Sequence, residues 1–161
     1  MCECDKVCDY SLTATPVQVE TMNLASNLVC PIDGEPLEQR DRQLQCSRGH
    51  GFDIARQGYV NLLPVQHKRS RQPGDSKEMV QARSRFLNSG VYRPIAARLA
   101  ELAGRLCAGV AQPCLLDAGC GEGYYLDSLR SALAASDACA TPTGIGLDIS
   151  KYAILEAAKR S

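Results

Sequence analysis

Residues 28–63 carry turn-forming residues at short intervals and few large apolar side chains, too few to close a hydrophobic core unaided. The stretch reads as short strands and turns: Leu28-Val29-Cys30, Asp33-Gly34, Gln43-Leu44-Gln45-Cys46 and Tyr59-Val60-Asn61-Leu62-Leu63. A module of this kind needs a staple. Cys30, Asp33, Cys46 and His50 offer one, spaced C-x2-D-x12-C-x3-H, as two ligand pairs separated by a loop. Tetrahedral Zn²⁺ held by one pair on each turn would tie the turns together and supply the folding energy that the core lacks. Carboxylate oxygen is a legitimate zinc ligand, but Asp33-Gly34 is equally an ordinary turn dipeptide. On that plainer reading Asp33 only shapes the turn, Cys46 packs and His50 is solvated.

The chain has nine cysteines, an odd number, and its N-terminus shows no basic segment followed by an apolar core. Reduced thiols, some of them holding metal, fit this pattern better than a disulfide framework. With no run of about 18 apolar residues there is no transmembrane helix to expect, and a cytoplasmic protein without membrane contact is the expectation. Cys2, Cys4 and Cys8 lie in a polar leader, residues 1–27, expected to be disordered.

Lys+Arg and Asp+Glu cancel at 18 each, so no global field advertises nucleic acid. Local counts differ. Residues 1–29 hold four acids and one base, whereas residues 66–85 hold six bases against Asp75 and Glu78. The positive charge is thus concentrated where a loop-rich first half gives way to an alanine- and leucine-rich second half.

Helical signals begin after Pro73-Gly74. Asp75 and Glu78 stand at capping-box spacing, Met79, Ala82, Phe86 and Leu87 share a face, and Gly90 is a natural stop. Ile95, Leu99, Leu102 and Leu106 then mark a second helix. Next come a strand at Cys114-Leu115-Leu116-Asp117-Ala118, a glycine-rich turn, and a helix with Leu126, Leu129 and Leu133. A strand over residues 144–148 and a last helix from about Ser150 follow. Strand, glycine turn, helix, strand, helix is the opening of a parallel α/β fold.

The turn itself reads Asp117-Ala118-Gly119-Cys120-Gly121-Glu122-Gly123, a G-x-G-x-G loop running into a helix. Its glycines let the backbone turn sharply and approach a ligand, with helix N–H groups pointing into the gap. Asp148, 31 residues after Asp117, ends the next strand, where a carboxylate can accept both hydroxyls of a ribose. A glycine triplet alone would only permit close helix–strand packing; paired with this acid it points to a nucleoside ligand.

Asp117-x-Gly-x-Gly-x-Gly with its distant acid resembles the S-adenosylmethionine site of Rossmann-like class I methyltransferases. Further blocks narrow this. Gly58-Tyr59-Val60-Asn61-Leu62-Leu63-Pro64-Val65-Gln66-His67-Lys68-Arg69-Ser70-Arg71, then Pro73-Gly74-Asp75-Ser76, then Gly146-Leu147-Asp148-Ile149-Ser150-Lys151 are similar to the bacterial 23S rRNA guanine-N1 methyltransferases. The likeness covers residues 29–160. It implies that Cys30, Cys46 and His50 are zinc ligands, with Asp33 replacing the family's usual cysteine. It implies further that Tyr92, Gly121 and Glu122 touch the methyl donor, beside Asp117, Gly119, Cys120, Gly123 and Asp148. The zinc module would help recognise an rRNA hairpin. A charge run is by default a solvated linker, but between a zinc module and a methyltransferase start His67, Lys68, Arg69 and Arg71 read as contacts to its phosphates.

The expected organisation is therefore a disordered leader (1–27), a small β-rich zinc-ribbon-like module (28–65), a basic linker and helix (66–92), and the start of a Rossmann-like domain (93–161). A doubly wound sheet needs more parallel strands than the two found here. The expectation is an N-terminal part of a longer S-adenosylmethionine-dependent enzyme, inactive alone; the alternatives are a non-catalytic zinc and RNA-binding fragment, or a remnant. No residue is nominated as general base, and a homodimer is allowed but not specified.

Overall fold

The computed structural model describes residues 24–64, 70, 72–136 and 142–160. His67, Lys68, Arg69 and Arg71, together with Cys2, Cys4, Cys8 and Cys139, lie outside these residues.

The first unit is a three-stranded antiparallel sheet of β1 (Leu37–Arg40), β2 (Gln43–Cys46) and β3 (Gly51–Asp53), in that spatial order. Leu37 faces Cys46 across β1 and β2, and Leu44 faces Phe52 across β2 and β3. The buried set is small: Ala25, Cys30, Leu37, Leu44 and Cys46, with Leu28, Phe52, Ile54, Val60 and Leu62 packed around it. Two of these five are the leucines; two more are candidate metal ligands. Leu24–Asn27, ahead of the module, forms a 3-10 turn that packs against β1, with Ala25 completely buried. Tyr59-Val60-Asn61-Leu62-Leu63, read as a strand, contributes only an isolated bridge between Val60 and Ile54.

The second unit runs α1 (Lys77–Asn88), α2 (Arg93–Cys107), β4 (Cys114–Ala118), α3 (Tyr124–Ala134), β5 (Thr143–Leu147) and α4 (Lys151–Ala157). β4 and β5 are parallel, with Asp117 opposite Gly146, so the glycine turn after β4 and Asp148 after β5 emerge at the same end. Small residues make the close contacts. A Cβ on Gly146 would stand 2.9 Å from the Cys120 sulfur, and one on Gly144 would collide with the Arg130 stem.

Helix register departs from the sequence reading in an instructive way. In α1 the buried residues are Val80 and Leu87, while Met79 and Phe86 are exposed. In α2 the buried residues are Ala96 and Cys107; Ile95, Leu99, Leu102 and Leu106 keep part of their surface exposed, Leu106 76 % of it, while Leu99 lines a cavity with Leu115, Leu116 and Leu129. The small side of α2 lies against α3, Leu133 lying 3.7 Å from where a Gly104 Cβ would be. The α1 cap is Ser76 rather than Asp75: the Ser76 hydroxyl accepts from the Met79 N–H at 3.3 Å and donates to Glu78 at 2.9 Å. Asp75 is engaged elsewhere, its carbonyl accepting from the buried Ser150 hydroxyl at 2.7 Å and its carboxylate 3.8 Å from Arg83.

That contact fixes the Pro73-Gly74-Asp75 turn onto the β5–α4 loop. Gly74 has φ +81°, and a Cβ there would sit 2.8 Å from the Ser150 Cβ and 2.9 Å from its backbone nitrogen. Gly74→Ala is therefore expected to destabilise the protein by about 2–4 kcal/mol, from strain and collision together. Gly58→Ala is the control: its φ is +90° but nothing lies within 4 Å, so only the backbone cost of about 1 kcal/mol is paid. Denaturant midpoints of the two variants measure the difference; equal losses would mean that the turn is not docked as described.

Candidate metal centre and glycine loop

Two similar turns build the first site. Cys30 and Cys46 each close one with a carbonyl that accepts from a glycine N–H, Gly34 at 2.8 Å and Gly49 at 3.0 Å, both glycines in the left-handed region. Asp33 lies within the first turn and His50 directly follows the second, and one donor atom from each of the four residues lies within 4.8 Å of all the others. Zinc–sulfur bonds of about 2.3 Å and zinc–nitrogen or zinc–oxygen bonds of about 2.0–2.1 Å set tetrahedral sulfur–nitrogen and sulfur–oxygen edges of about 3.5 Å. The observed separations are 3.6 Å for Cys30 Sγ to His50 Nδ1, 3.5 Å for Cys46 Sγ to His50 Nδ1, and 3.4 Å for Cys46 Sγ to Asp33 Oδ2. Only the His50–Asp33 edge is shorter, at 2.9 Å, the length of a hydrogen bond. The donor set fits zinc.

The two oxygens of Asp33 face different partners. Its Oδ1 accepts from the Glu35 N–H at 3.1 Å and shapes the turn, which leaves Oδ2 facing Cys46 and His50. Burial alone would raise the Asp33 carboxyl, but hydrogen bonds from Cys30, the Glu35 N–H, Cys46 and His50 outweigh it and hold the pKa at about 2. Burial pushes the Cys30 thiol up.

The second site lies at the ends of β4 and β5. Gly119, Gly121 and Gly123 all have positive φ, and the Gly119 and Cys120 N–H groups both donate to the Leu147 carbonyl, at 2.7 and 2.9 Å. Asp148 holds the loop from the other side: Oδ2 accepts from the Gly121 N–H at 3.0 Å and Oδ1 from the Ser150 N–H at 2.7 Å. Each oxygen keeps a lone pair for a ligand hydroxyl. Asp117 is raised, by burial and then by the nearby Asp148 charge. The Cys120 thiol is pushed up to about 11, by burial and then by Asp117 and Asp148, so it stays protonated and unreactive at neutral pH.

Tyr92, at the start of α2, meets Phe86 edge to face at 5.4 Å and lies close enough to Tyr125 to help raise it. Thus the turn after α1, the glycine loop and Asp148 form one cluster. Glu122 is buried there to 1 %, with Oε1 lacking a hydrogen-bond partner and Arg160 3.9 Å away. Arg160 escaped the sequence reading because nothing in its spacing ties it to a loop 38 residues earlier.

Residues 28–71 match the zinc-ribbon family described as "RlmA, N-terminal", a span that includes all four donor residues. A protein of Micromonospora griseorubida named as a 23S rRNA (guanine-N(1)-)-methyltransferase is 42 % identical over 85 % of this chain and 49 % of its own length. The 23S rRNA (guanine(748)-N(1))-methyltransferase of Streptomyces fradiae is 39 % identical, over 85 % of this chain and 46 % of its own. Over most of its length the chain is similar to 23S rRNA (guanine-N1) methyltransferases. A Bacillus subtilis relative named for the same guanine-N(1) methylation is 34 % identical over 94 % of this chain and 47 % of its own length. The chain spans about half the length of the curated methyltransferases it matches. Among the described residues, no helix is long and apolar enough to cross a membrane.

Proposed function

We propose that this chain carries the metal-stapled RNA-recognition module and the methyl-donor end of a cytoplasmic enzyme that methylates a guanine N1 in a 23S rRNA hairpin. The observation that carries the reading is the glycine loop after β4, whose Gly121 N–H is bound by the strand-end acid Asp148, in a chain homologous to named rRNA methyltransferases. On this reading residues 28–65 are the zinc module, 66–92 a basic linker and helix, and 93–161 the first part of a Rossmann-like domain. Cys30, Asp33, Cys46 and His50 hold zinc, which when bound ties the two turns together.

S-adenosylmethionine, when bound, supplies an electrophilic methyl group on a sulfonium sulfur. The chain's own residues bind and orient. Asp148 receives the ribose hydroxyls, and Gly119, Gly121 and Gly123 let backbone approach. Asp117, Cys120 and Glu122 set the loop, while Tyr92 closes it from the α1–α2 turn. Catalysis then rests on placing guanine N1 in line with the methyl group rather than on a nucleophile of this chain, consistent with the protonated Cys120.

The test is transfer of labelled methyl from S-adenosylmethionine to unmodified 23S rRNA by the full-length protein, followed by digestion. Label in 1-methylguanosine is expected; label in another nucleoside, or none, overturns the reading. His67, Lys68, Arg69 and Arg71 are proposed to contact phosphates. Charge reversal at Lys68, Arg69 and Arg71 together is expected to weaken rRNA binding at least about tenfold and to flatten its salt dependence. Unchanged binding would make the segment a linker.

A further inference from the structure

We infer that Arg160 is a positioning residue of the methyl-donor site, locking the glycine loop to the turn that carries Tyr92; the inference rests on the donor-binding reading above. Arg160 follows α4, yet most of its side chain is covered, and its guanidinium reaches three other parts of the fold. Its Nε donates to the Glu122 carbonyl at 3.0 Å, and Nη2 donates to Asn88 Oδ1 at 3.0 Å. Its charge lies 3.9 Å from Glu122 Oε1 and 3.8 Å from Asp127 Oδ2. Its stem packs 3.7 Å from the position of a Cβ on Gly123.

Each contact bears on the loop. Gly119, Gly121 and Gly123 are in the left-handed region, and glycine has no side chain with which to anchor itself. Among the described residues, the Gly121 and Gly123 N–H groups bond to Asp148 and the Cys120 carbonyl, and the Gly121 and Gly123 carbonyls meet the Cys120 thiol and the Asp127 N–H, while the Glu122 carbonyl is held by Arg160. The Glu122 carboxylate is buried with one oxygen unpaired, a cost that the nearby guanidinium offsets. Asn88 is the last residue of α1, four before Tyr92, so the other prong of the same guanidinium fixes the opposite wall. Only a planar fork makes both hydrogen bonds at once; a lysine ammonium is a point charge on a flexible stem.

The experiment measures S-adenosylhomocysteine affinity by calorimetry on the full chain and on Arg160→Lys, Arg160→Gln and Asn88→Ala, with ligand-free melting curves of each. Arg160→Lys and Arg160→Gln are expected to weaken binding about tenfold, and Asn88→Ala about threefold. Asn88→Ala and Arg160→Lys should leave the melting temperature unchanged, which separates positioning from a merely structural role. In the double variant the Asn88 change should cost nothing beyond Arg160→Lys, since its partner is already gone. Arg160→Lys binding within about twofold of the parent, or a full additional loss in the double variant, overturns the inference. If the parent itself binds no S-adenosylhomocysteine, the donor-site reading fails first, and the Arg160 inference falls with it.

Discussion

Stripping zinc from the protein with a chelator is expected to abolish hydrogen-exchange protection across β1, β2 and β3 while protection in α3 and β5 persists. The ribbon buries only two leucines outright, Leu37 and Leu44, worth about 2 kcal/mol each. A structural zinc site contributes about 10–16 kcal/mol, so the metal dominates the module's stability. Asp33→Ala removes one of four donors and should weaken zinc binding about a hundredfold, if the ligands share that energy evenly. Asp33→Cys should tighten it, and should also make affinity fall more steeply on acidification. A thiol must lose a proton to ligate, whereas the Asp33 carboxyl, at about 2, is already ionised. Competition dialysis at several pH values measures all three proteins. Full affinity in Asp33→Ala would reduce Asp33 to the turn residue that its bond to the Glu35 N–H also makes it. Unchanged exchange after chelation would mean that the ribbon folds without metal.

The parts of the fold that sequence reveals are those set by local chemistry. β4 coincides with Cys114-Leu115-Leu116-Asp117-Ala118, and Ser150 caps α4 where the reading began that helix. The four donor residues meet because Cys-x2 and Cys-x3 spacings put each pair on one tight turn. What stayed hidden depends on neighbours. Apolar periodicity marks a helix but does not say which residues are buried most deeply: in α2 these are Ala96 and Cys107, not the leucines. Asp75 matched the capping pattern, yet the next residue caps α1, since Asp75 is taken up by Ser150, 75 residues later. The network of Arg160, Glu122, Asp127 and Asn88 gathers four segments, and no spacing rule anticipates it. In the glycine loop, glycine and acid are both legible, but their mutual bond is not: Asp148 supports the loop in addition to the ligand role proposed for it.

That double duty shapes the second large effect. Asp148→Ala is expected to weaken S-adenosylmethionine binding at least about a hundredfold, because the carboxylate proposed to bind two ribose hydroxyls is lost and each charged hydrogen bond is worth about 1.5–3 kcal/mol. Loss of affinity alone would not identify the cause, since the Gly121 and Ser150 N–H groups also lose their acceptor. A donor analogue without ribose hydroxyls distinguishes the two. If Asp148 binds the ribose, the analogue binds the parent protein weakly, and Asp148→Ala then costs it far less than it costs the natural ligand. If Asp148 only supports the loop, the substitution costs both ligands equally, and the two losses add. Asp148→Asn sharpens the distinction further, because its amide oxygen can still accept from the Gly121 N–H while the charge and one acceptor are gone. Retention of loop order with loss of ribose discrimination is the expected outcome. Equal additive losses across both ligands would remove Asp148 from the ribose and leave it a support for the loop alone.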